Sequence, residues 1–223
     1  MIPVHGKPLL EYIISALIFA GIKNFVIVVG YQKDQIIQFF KEGDNWGVNI
    51  EYIEQKEING TGGALSICED SIKDDHFYLT WGDILVQNSV YKEVLDVFKR
   101  ENQDYVMVAN ESDDPYRGAA VYHKNNYCTG IIEKPSLGKS KSTLNNCGIF
   151  VFSKDIFPVL KMLKPSIRGE IELTDAINYG IQNKKWRVRL VRMKKAQFRG
   201  DFGNAKVYKQ LKKDKSWLKE LYH

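Results

Sequence analysis

The chain has 223 residues, of which 44% are hydrophobic and 26% are charged, as is typical of a globular protein with one sizeable core. No apolar run approaches the ~20 residues of a membrane span, and the three cysteines lack metal-ligand spacing, so we expect a cytoplasmic protein without a membrane partner. The net charge of +5 is uneven, because residues 184–223 hold 14 Lys and Arg against 3 Asp and Glu. No recognised nucleic-acid module accompanies this basic end, so we expect no nucleic-acid partner.

Helical and strand-like patterns alternate through the first half of the sequence. The predicted elements are helix 9–20, strand 25–30, helix 34–40, strand 48–53, helix 61–72, strand 77–80, helix 90–99 and strand 105–109. The short apolar runs among them are typical of buried parallel strands. This repetition predicts right-handed crossovers and a parallel sheet with helices on both faces.

From residue 118 onward the pattern changes, because strands follow one another without helices of comparable length between them. The predicted elements are strands 118–122, 129–133 and 149–152, helix 170–181, strand 186–191 and helix 205–221. We expect the three consecutive strands to form a mixed or antiparallel portion that covers one end of the sheet. No linker divides the chain, so the sequence predicts a single domain, 1–223.

A glycine-rich turn, Gly60-Thr61-Gly62-Gly63, lies between a predicted strand and a predicted helix. Glycines let the backbone approach a phosphate or a base closely, and amides at a helix N-terminus favour anions. A simple tight turn would use the same glycines, so the turn alone leaves both interpretations open. Gln55, five residues before Gly60, is by itself best interpreted as a solvated side chain at the end of a strand.

Asp83 follows Trp81-Gly82 directly after the predicted strand 77–80, at the carboxyl end where ligands bind in open α/β sheets. A lone Asp at such a place more often caps a turn. A second carboxylate, Asp201, lies far along the chain and precedes Phe202-Gly203. If the two carboxylates converge, they could hold a Mg²⁺ that also binds phosphate oxygens.

Further segments follow in order, and each has an ordinary structural interpretation if it is taken singly. They are Val4-His5-Gly6-Lys7-Pro8, Tyr116-Arg117-Gly118, Glu133-Lys134-Pro135, Asn145-Asn146-Cys147-Gly148 and Arg168-Gly169-Glu170-Ile171-Glu172. Together with the segments around Gln55, Asp83 and Asp201, this series resembles the sugar-1-phosphate nucleotidylyltransferases from residue 1 to residue 208.

The resemblance implies an α/β protein with the Rossmann-like nucleotide-diphospho-sugar transferase fold, in which helices flank a mixed, mostly parallel sheet. The nucleotide-binding part would cover about 1–110, the sugar-binding part about 111–203 and a C-terminal helix about 204–223. The implied reaction joins a sugar 1-phosphate to a nucleoside triphosphate, with UTP or dTTP favoured and Mg²⁺ as cofactor. Such enzymes often form homodimers or homotetramers.

The same resemblance assigns roles to individual residues. The implied catalytic residues are Asp83, Lys134, Arg168 and Asp201, of which Asp83 and Asp201 bind the metal. The implied nucleotide contacts are Gln55, Gly60 and Thr61. The implied sugar contacts are Gly118, Glu133 and Asn146.

Two parts of the family's site are missing from the sequence. One is the Gly-x-Gly-Thr-Arg-Leu loop with its Arg, and the other is a catalytic Lys that in the family lies two residues before the position of Met1. In the family this loop follows a first strand, which lies between the strands matching 25–29 and 77–80. We therefore expect a gap or a closed-up register between these two strands, or a strand borrowed from another chain, and no measurable transfer by residues 1–223 alone.

Three hypotheses remain open from the sequence. The first is that the chain is an enzyme that lacks its beginning. The second is that the chain is a catalytically silent regulatory homologue that binds sugar phosphates or nucleotides. The third hypothesis is a mannose- or heptose-1-phosphate guanylyltransferase, because Gly60-Thr61-Gly62-Gly63 also resembles guanylyl-transferring relatives.

Overall fold

The computed structural model describes residues 1–112 and 118–222, so Tyr116 and Arg117 of the predicted motif lie outside the described residues. The helices are α1 (Leu9–Phe19), α2 (Lys33–Phe40), α3 (Thr61–Ser66), α4 (Asn88–Glu101), α5 (Ile156–Met162), α6 (Leu173–Asn183), α7 (Ala205–Lys213) and α8 (Trp217–Glu220), with a short 3-10 helix at Asp44–Trp46. The strands are β1 (Pro3–Val4), β2 (Lys7–Pro8), β3 (Asn24–Val29), β4 (Asn49–Glu54), β5 (His76–Thr80), β6 (Ile84–Val86), β7 (Tyr105–Glu111), β8 (Ala119–Lys124), β9 (Tyr127–Glu133), β10 (Leu144–Ser153), β11 (Val188–Arg192) and β12 (Arg199–Asp201).

Helix α4 illustrates how the local sequence selects its elements. Its buried residues recur at helical spacing: Val90, Tyr91, Val94, Leu95 and Val97. Lys99 and Arg100 lie in its last turn, where positive charge is favourable beside the helix C-terminus. The helix ends at Asn102, which adopts the left-handed conformation with φ of 47°.

A six-stranded sheet carries most of the fold, in the order β5-β10-β7-β11-β9-β8. The pairings place β5, β7, β11 and β8 in one direction and β10 and β9 in the other. The sheet is therefore mixed, with most of its strands running the same way and helices flanking it, as expected.

The predicted antiparallel portion at one end of the sheet is confirmed for β8 and β9, which form that end, and is wrong for β10. Instead, β10 pairs with β5 on one edge and with β7 on the other. Nine of its ten residues are buried. Its residues 149–152 are apolar on both faces of the strand, and the middle of the sheet covers both faces.

Alternate residues of β7 face two separate cores, one on each side of the sheet. Val106 and Val108 pack with residues of α1 and α4 in what we call the α1–α4 core. Tyr105 and Met107 pack with residues of α5 and α6 in the α5–α6 core. This alternation follows from the strand period of two residues.

Strands β3 and β4 form a second, two-stranded parallel sheet. Among the described residues β3 pairs only with β4, and β5 pairs only with β10 and thus ends the large sheet. A cavity lies between them, and its wall includes residues 25–28 of β3 and 77–80 of β5. Of the three arrangements expected from the sequence, the structure therefore shows the gap.

Several predicted boundaries differ from the structure. Predicted helix 61–72 ends at Ser66, because the chain then continues in tighter turns in which the Cys68 amide donates to the Leu65 carbonyl. Predicted helix 205–221 is divided into α7 and α8 at Asp214, whose carboxylate accepts hydrogen bonds from the Ser216 amide and hydroxyl. The short elements α5, β6 and β12 were not predicted.

Candidate functional site

One cavity of about 1590 Å³ extends from the carboxyl ends of the strands into the gap between β3 and β5. Most residues that the sequence selected line its polar end, which we call the polar mouth: Gln55, Thr61, Asp83, Gly118, Glu133, Lys134, Asn146 and Arg168. The fold thus brings together residues from segments far apart in the chain. Gly60 and Asp201 do not line the cavity, but both adjoin residues that do.

Asp83 and Asp201 are brought side by side by the antiparallel strands β6 and β12, whose register pairs Asp201 with Ile84. Both carboxylates converge on Gly203, where an added Cβ would lie 2.6 Å from Asp83 Oδ2 and 3.4 Å from Asp201 Oδ1. Burial raises the pKa of Asp83, and the negative charge of Asp201 raises it further. The predicted convergence of these two carboxylates is therefore present in the structure.

This pair of carboxylates fits a hard divalent cation. Mg²⁺ is usually held by one or two carboxylates, with water and substrate phosphates completing its coordination. Gly203 leaves space between the two carboxylates, and a cation there would offset the repulsion that raises the pKa of Asp83. Residues 1–112 and 118–222 contain no group of three or more His, Cys, Asp or Glu that could form a metal cage made of protein alone.

Arg199 lies beside the carboxylates, and sequence reasoning missed it. Its Nη2 is 3.9 Å from Asp201 Oδ2, and its positive charge acts to lower the pKa of Asp83. The Arg199 Nε is buried and has no hydrogen-bond partner among the described residues. Arg199 and Asp201 stand two residues apart in a strand and therefore share a face, which is the signal that could have identified it.

The glycine-rich turn packs against the segment that precedes α6. The Gly62 amide donates to the Ile171 carbonyl at 2.8 Å, and the Ile171 amide donates to the Asn59 carbonyl at 2.7 Å. Gly60 has φ of 95°, and a Cβ there would lie 2.7 Å from the Ile171 oxygen. Because residues 170 and 171 extend along this turn, α6 begins at Leu173 and the prediction of a helix from residue 170 is wrong.

Gln55 follows β4 at the edge of the polar mouth. Its Nε2 donates to Asn59 Oδ1 at 3.0 Å and lies 3.4 Å from the Gly60 carbonyl oxygen. Sequence analysis missed Asn59, although its place beside Gly60 is a signal. Of the three implied nucleotide contacts, Gln55 and Thr61 line the cavity, whereas Gly60 does not, because Ile171 covers it.

Arg168 is surrounded by three carboxylates. Its Nη2 lies 2.5 Å from Glu172 Oε1, 3.1 Å from Glu170 Oε2 and 3.9 Å from Glu133 Oε1. Glu172 is only 5% exposed, so this ion pair compensates a buried charge. The positive charge of Arg168 is already balanced within the protein.

Glu133 and Lys134 lie at the end of β9. Burial raises the pKa of Glu133, and the negative charge of Glu172 adds to that effect. Lys134 is exposed, adopts φ of 39°, and donates its amide to the Gly118 carbonyl at 2.9 Å. The mouth therefore offers one partly buried carboxylate and, next to it, a cationic side chain that extends into solvent.

Asn146 supplies an unpaired donor to the polar mouth. Its Oδ1 accepts a hydrogen bond from the Gly148 amide, while its Nδ2 is buried without a partner among the described residues. The Thr174 hydroxyl and Trp81 Nε1, which also belong to residues of the cavity wall, are unpaired in the same sense. Buried polar groups are normally hydrogen-bonded, so these atoms are ready to bind a polar ligand.

Asn145, which sequence analysis did not select, packs against Gly118. A Cβ at Gly118 would lie 2.6 Å from Asn145 Oδ1, so a larger residue here would require the Asn145 side chain to move. Gly118 thus shapes the wall through its lack of a side chain, and it also accepts the Lys134 amide.

This chain is similar in sequence to a known protein family and to several of its relatives. A family model described as nucleotidyl transferase matches residues 1–216. The bifunctional protein GlmU of Methanococcus maripaludis strain S2 is 36% identical over 185 residues, which are 83% of this chain and 42% of that protein. The UTP–glucose-1-phosphate uridylyltransferase AglF of Haloferax volcanii is 34% identical over 189 residues, which are 82% of this chain and 74% of that protein. The chain spans about two fifths of the length of the GlmU relatives it matches.

Solved structures have the same fold. A Bacillus anthracis protein described as a glucose-1-phosphate thymidylyltransferase, in complex with sucrose, matches with a TM-score of 0.83 and 25% identity over 95% of this chain and 83% of that one. A UDP-glucose pyrophosphorylase in complex with UDP-glucose matches with a TM-score of 0.83 and 23% identity over 96% and 88% of the two chains, a likeness of fold alone. No helix in the described parts of the chain is long and apolar enough to cross a membrane.

Proposed function

Because the chain belongs to the nucleotidyl transferase family, we propose that it serves to join a sugar 1-phosphate to a nucleoside triphosphate, giving an NDP-sugar and pyrophosphate. The observation that carries the proposal is the polar mouth, where residues selected from separate segments line one cavity. The uridylyl- and thymidylyltransferases among the similar proteins support UTP or dTTP as the nucleotide.

The reaction needs no nucleophile from the protein. An oxygen of the sugar 1-phosphate attacks the α-phosphorus and forms a new P–O bond. The bond from the α-phosphorus to the oxygen that bridges to the β-phosphate breaks, and pyrophosphate leaves with the bonding electrons. The protein therefore has to align the two substrates and neutralise their charge.

On the sugar side, we assign the hydroxyl contacts to Glu133 and to the unpaired Nδ2 of Asn146. Lys134 is the cation available to the sugar phosphate, because Arg168 is balanced by its carboxylate neighbours. Arg168, which the resemblance implies to be catalytic, is better suited to hold Glu133 and Glu172 in place.

On the nucleotide side, we assign the base contact to the Gln55 carboxamide and the adjacent backbone contact to Thr61, since Ile171 covers Gly60. Mg²⁺ held by Asp83 and Asp201 would neutralise phosphate charge when bound. Gln55 has one donor and one acceptor group in its carboxamide, which matches the edge of uracil or thymine.

The proposal also covers the cellular compartment, the partners and the oligomeric state of the protein. The three cysteines are free and buried, as is usual for proteins of the reducing cytoplasm, where we place the reaction. We expect neither a nucleic acid nor a membrane as partner, and homodimers or homotetramers remain consistent with the family.

Binding of a product analogue tests the site directly. We expect UDP-glucose with Mg²⁺ to bind residues 1–223 in a calorimetric titration. Glu133→Gln should weaken binding about tenfold or more, since it removes the charged acceptor of sugar hydroxyls. Glu93→Gln, on the exposed face of α4, is the matched control and should bind as the unchanged chain does. Equal affinity of all three proteins would refute the assigned sugar side.

A turnover assay separates the alternatives. We expect no measurable release of pyrophosphate by residues 1–223 alone, because they contain neither the loop Arg nor the further Lys of the family. Robust NDP-sugar synthesis would contradict that expectation, and a preference for GTP would favour the guanylyltransferase hypothesis. Binding without transfer in the longest natural form of the protein would favour the silent homologue.

A further inference from the structure

Arg199 is the second arginine near the polar mouth, and its surroundings differ from those of Arg168. Arg168 Nη2 lies 2.5 Å from Glu172 Oε1 and 3.1 Å from Glu170 Oε2, within hydrogen-bond distance of both. Arg199 Nη2 is 3.9 Å from Asp201 Oδ2, which makes an ion pair but is too long for a hydrogen bond. Arg168 is therefore held by carboxylates, whereas Arg199 only stands near one.

Backbone pairing fixes Arg199 beside the two aspartates. Strand β12 pairs with β6 over all three of its residues. The next amide along the chain, that of Phe202, donates to the Asp83 carbonyl at 2.8 Å. Arg199 and Asp201 stand two residues apart in β12 and share a face. Because the backbone sets these positions, a change of the Arg199 side chain should leave both carboxylates in place.

The Arg199 guanidinium has donors without acceptors. Arginine carries five N–H donors, and the Nε of Arg199 is buried without a partner in residues 1–112 and 118–222. The neighbouring Cys147 provides no counter-charge, since burial raises the pKa of its thiol to about 11, although Arg199 acts to lower it. The Arg199 side chain is 24% exposed and can therefore meet a ligand from solvent. Unpaired buried donors are unfavourable, so an acceptor at the guanidinium is favoured.

The charge of Arg199 also acts on the place between the carboxylates. Burial and the charge of Asp201 raise the pKa of Asp83, whereas the positive charge of Arg199 acts to lower it. A positive charge that stabilises the Asp83 carboxylate repels a cation bound to the same carboxylate. Asp83, Asp201 and Arg199 together carry a net charge of about −1 when both carboxylates are ionised, so a bare divalent cation would reverse the sign of the site.

Phosphate is the ligand chemistry that satisfies both features. The planar guanidinium of arginine binds phosphate through two parallel N–H···O bonds. Phosphate oxygens also complete the coordination of Mg²⁺ when one or two carboxylates hold it. A phosphate ligand would therefore supply acceptors to Arg199 and negative charge to the carboxylate site at the same time.

We propose that Arg199 is a further substrate-binding residue, which makes cation binding at Asp83 and Asp201 depend on the phosphates of the nucleoside triphosphate. Its charge opposes a bare divalent cation, and its unpaired donors bind phosphate oxygens when the nucleotide is present. This role rests on the proposed function, because it takes the two aspartates as the cation ligands. It adds an order of binding, in which the cation enters together with the nucleotide.

Two binding measurements on residues 1–223 test the role of Arg199. The first titrates Mn²⁺ without nucleotide, since the paramagnetic resonance signal of free Mn²⁺ reports the unbound cation. Arg199→Met should bind Mn²⁺ about tenfold or more tightly than the unchanged chain, because the opposing charge is gone. The second titrates UTP in a calorimeter with excess Mg²⁺. Arg199→Met should bind UTP about tenfold or more weakly, because phosphate donors are lost.

The opposite directions of these two shifts exclude a merely structural role. If Arg199 only held β12 in place, Arg199→Met would weaken the binding of Mn²⁺ and of UTP together. Mn²⁺ binding no tighter than that of the unchanged chain, or unchanged UTP binding, would overturn the proposal. If circular dichroism shows that Arg199→Met does not fold, Arg199→Gln, which keeps a polar side chain without the charge, carries the same two expectations.

Two further variants separate the local charge from the shape of the guanidinium and from the net charge. Arg199→Lys keeps the charge and loses the planar fork, so it should bind Mn²⁺ as the unchanged chain does and bind UTP with an affinity between those of the unchanged chain and Arg199→Met. Arg187→Met removes the same charge at an exposed side chain that donates to Tyr127 Oη at 2.8 Å. It should leave both affinities unchanged. A gain in Mn²⁺ affinity as large as that of Arg199→Met would contradict the proposal.

Failure of this role can be told apart from failure of the proposed function. Asp201→Asn in the Arg199→Met background removes an implied cation ligand and should abolish the gain in Mn²⁺ affinity. If the gain persists, the cation binds elsewhere, and both the metal site and the role of Arg199 are refuted. If Arg199→Met shows no gain while UDP-glucose still binds and Glu133→Gln still weakens that binding, the role of Arg199 alone is refuted.

Discussion

The two walls of the polar mouth are built differently. The sugar-side wall, with Gly118, Glu133 and Asn146, lies on strands of the six-stranded sheet and is joined by the ion pairs of Arg168. The nucleotide-side wall, with Gln55, follows the two-stranded sheet of β3 and β4, which borders the cavity between β3 and β5. One wall is part of a six-stranded sheet, whereas the other is part of a sheet of two strands.

The two proposed substrate sites therefore have unequal structural support. Regions with few paired backbone groups open at lower free energy than the core of a sheet. We therefore expect changes in the sugar-side wall to affect global stability, and comparable changes on the nucleotide side to remain local.

The largest expected effect comes from Gly148→Ala in β10. Gly148 has φ of 66°, and a Cβ there would lie 2.1 Å from Trp81 Cδ2. The left-handed backbone and the clash together should lower the free energy of unfolding by about 4 kcal/mol. Urea unfolding at pH 7 measures the change.

Gly138→Ala is the matched control. Gly138 has φ of 73° but no atom within 4 Å of an added Cβ, so it isolates the backbone effect. We expect a loss of about 1 kcal/mol. Equal losses in the two variants would mean that the contact with Trp81 does not hold the sugar-side wall.

A smaller effect is expected from Arg168→Met. The substitution leaves the buried carboxylate of Glu172 without its cation, and such a loss costs about 3–5 kcal/mol for a fully buried pair. Because the Arg168 side chain is 30% exposed, we expect about 2 kcal/mol in urea unfolding. Lys33→Met breaks the solvated Lys33–Glu54 pair at the two-stranded sheet and should leave the midpoint unchanged. A similar loss of stability in Arg168→Met and Lys33→Met would contradict the contrast between the two walls.

The smallest expected effect is the pH-dependent contribution of Glu133 to the free energy of unfolding. Burial and Glu172 raise the pKa of Glu133, so the folded state binds its proton more tightly than the unfolded state. The stability that Glu133 contributes is present below about pH 4.5 and is lost as the pH rises through its raised pKa. Glu133→Gln should therefore be more stable than the unchanged chain at pH 7, by less than about 1 kcal/mol, and equally stable near pH 4.

Glu101→Gln gives the opposite sign and serves as the comparison. The hydrogen bond from Arg189 lowers the pKa of Glu101, so its contribution is present above about pH 4.5 and is lost as the pH falls through the lowered value. This variant should be less stable than the unchanged chain at pH 7. Urea midpoints that shift in the same direction for Glu133→Gln and Glu101→Gln would contradict the assigned environments.

Local patterns in the sequence were enough for elements whose neighbours in the chain decide their conformation. Helix α1 was predicted from residue 9 and begins at Leu9, and α4 follows its apolar spacing. Asp83 was selected because a carboxylate after a strand lies at the ligand-binding edge, and Asp201 was selected as its distant partner. Both choices rest on short segments, and the structure brings them together.

Residues that matter through distant contacts were missed. Trp81 was seen as a neighbour of Asp83, but its packing on Gly148 joins β10 to the end of β5. Gly60 was expected in the pocket wall, and the carbonyl of Ile171 covers it instead. Neither contact leaves a local signal, because the partners are more than sixty residues apart in the chain.

Periodicity in the sequence predicted helices α1 to α4, α6 and α7 and most of the longer strands, and the family resemblance selected most residues around the polar mouth. Three features follow only from packing between distant segments: β10 enters between β5 and β7, carboxylates compensate Arg168, and Arg199 stands beside the two aspartates. The reason is physical: periodicity and turn residues act over a few neighbours, whereas strand order and charge pairing depend on burial that exists only once distant segments have packed together.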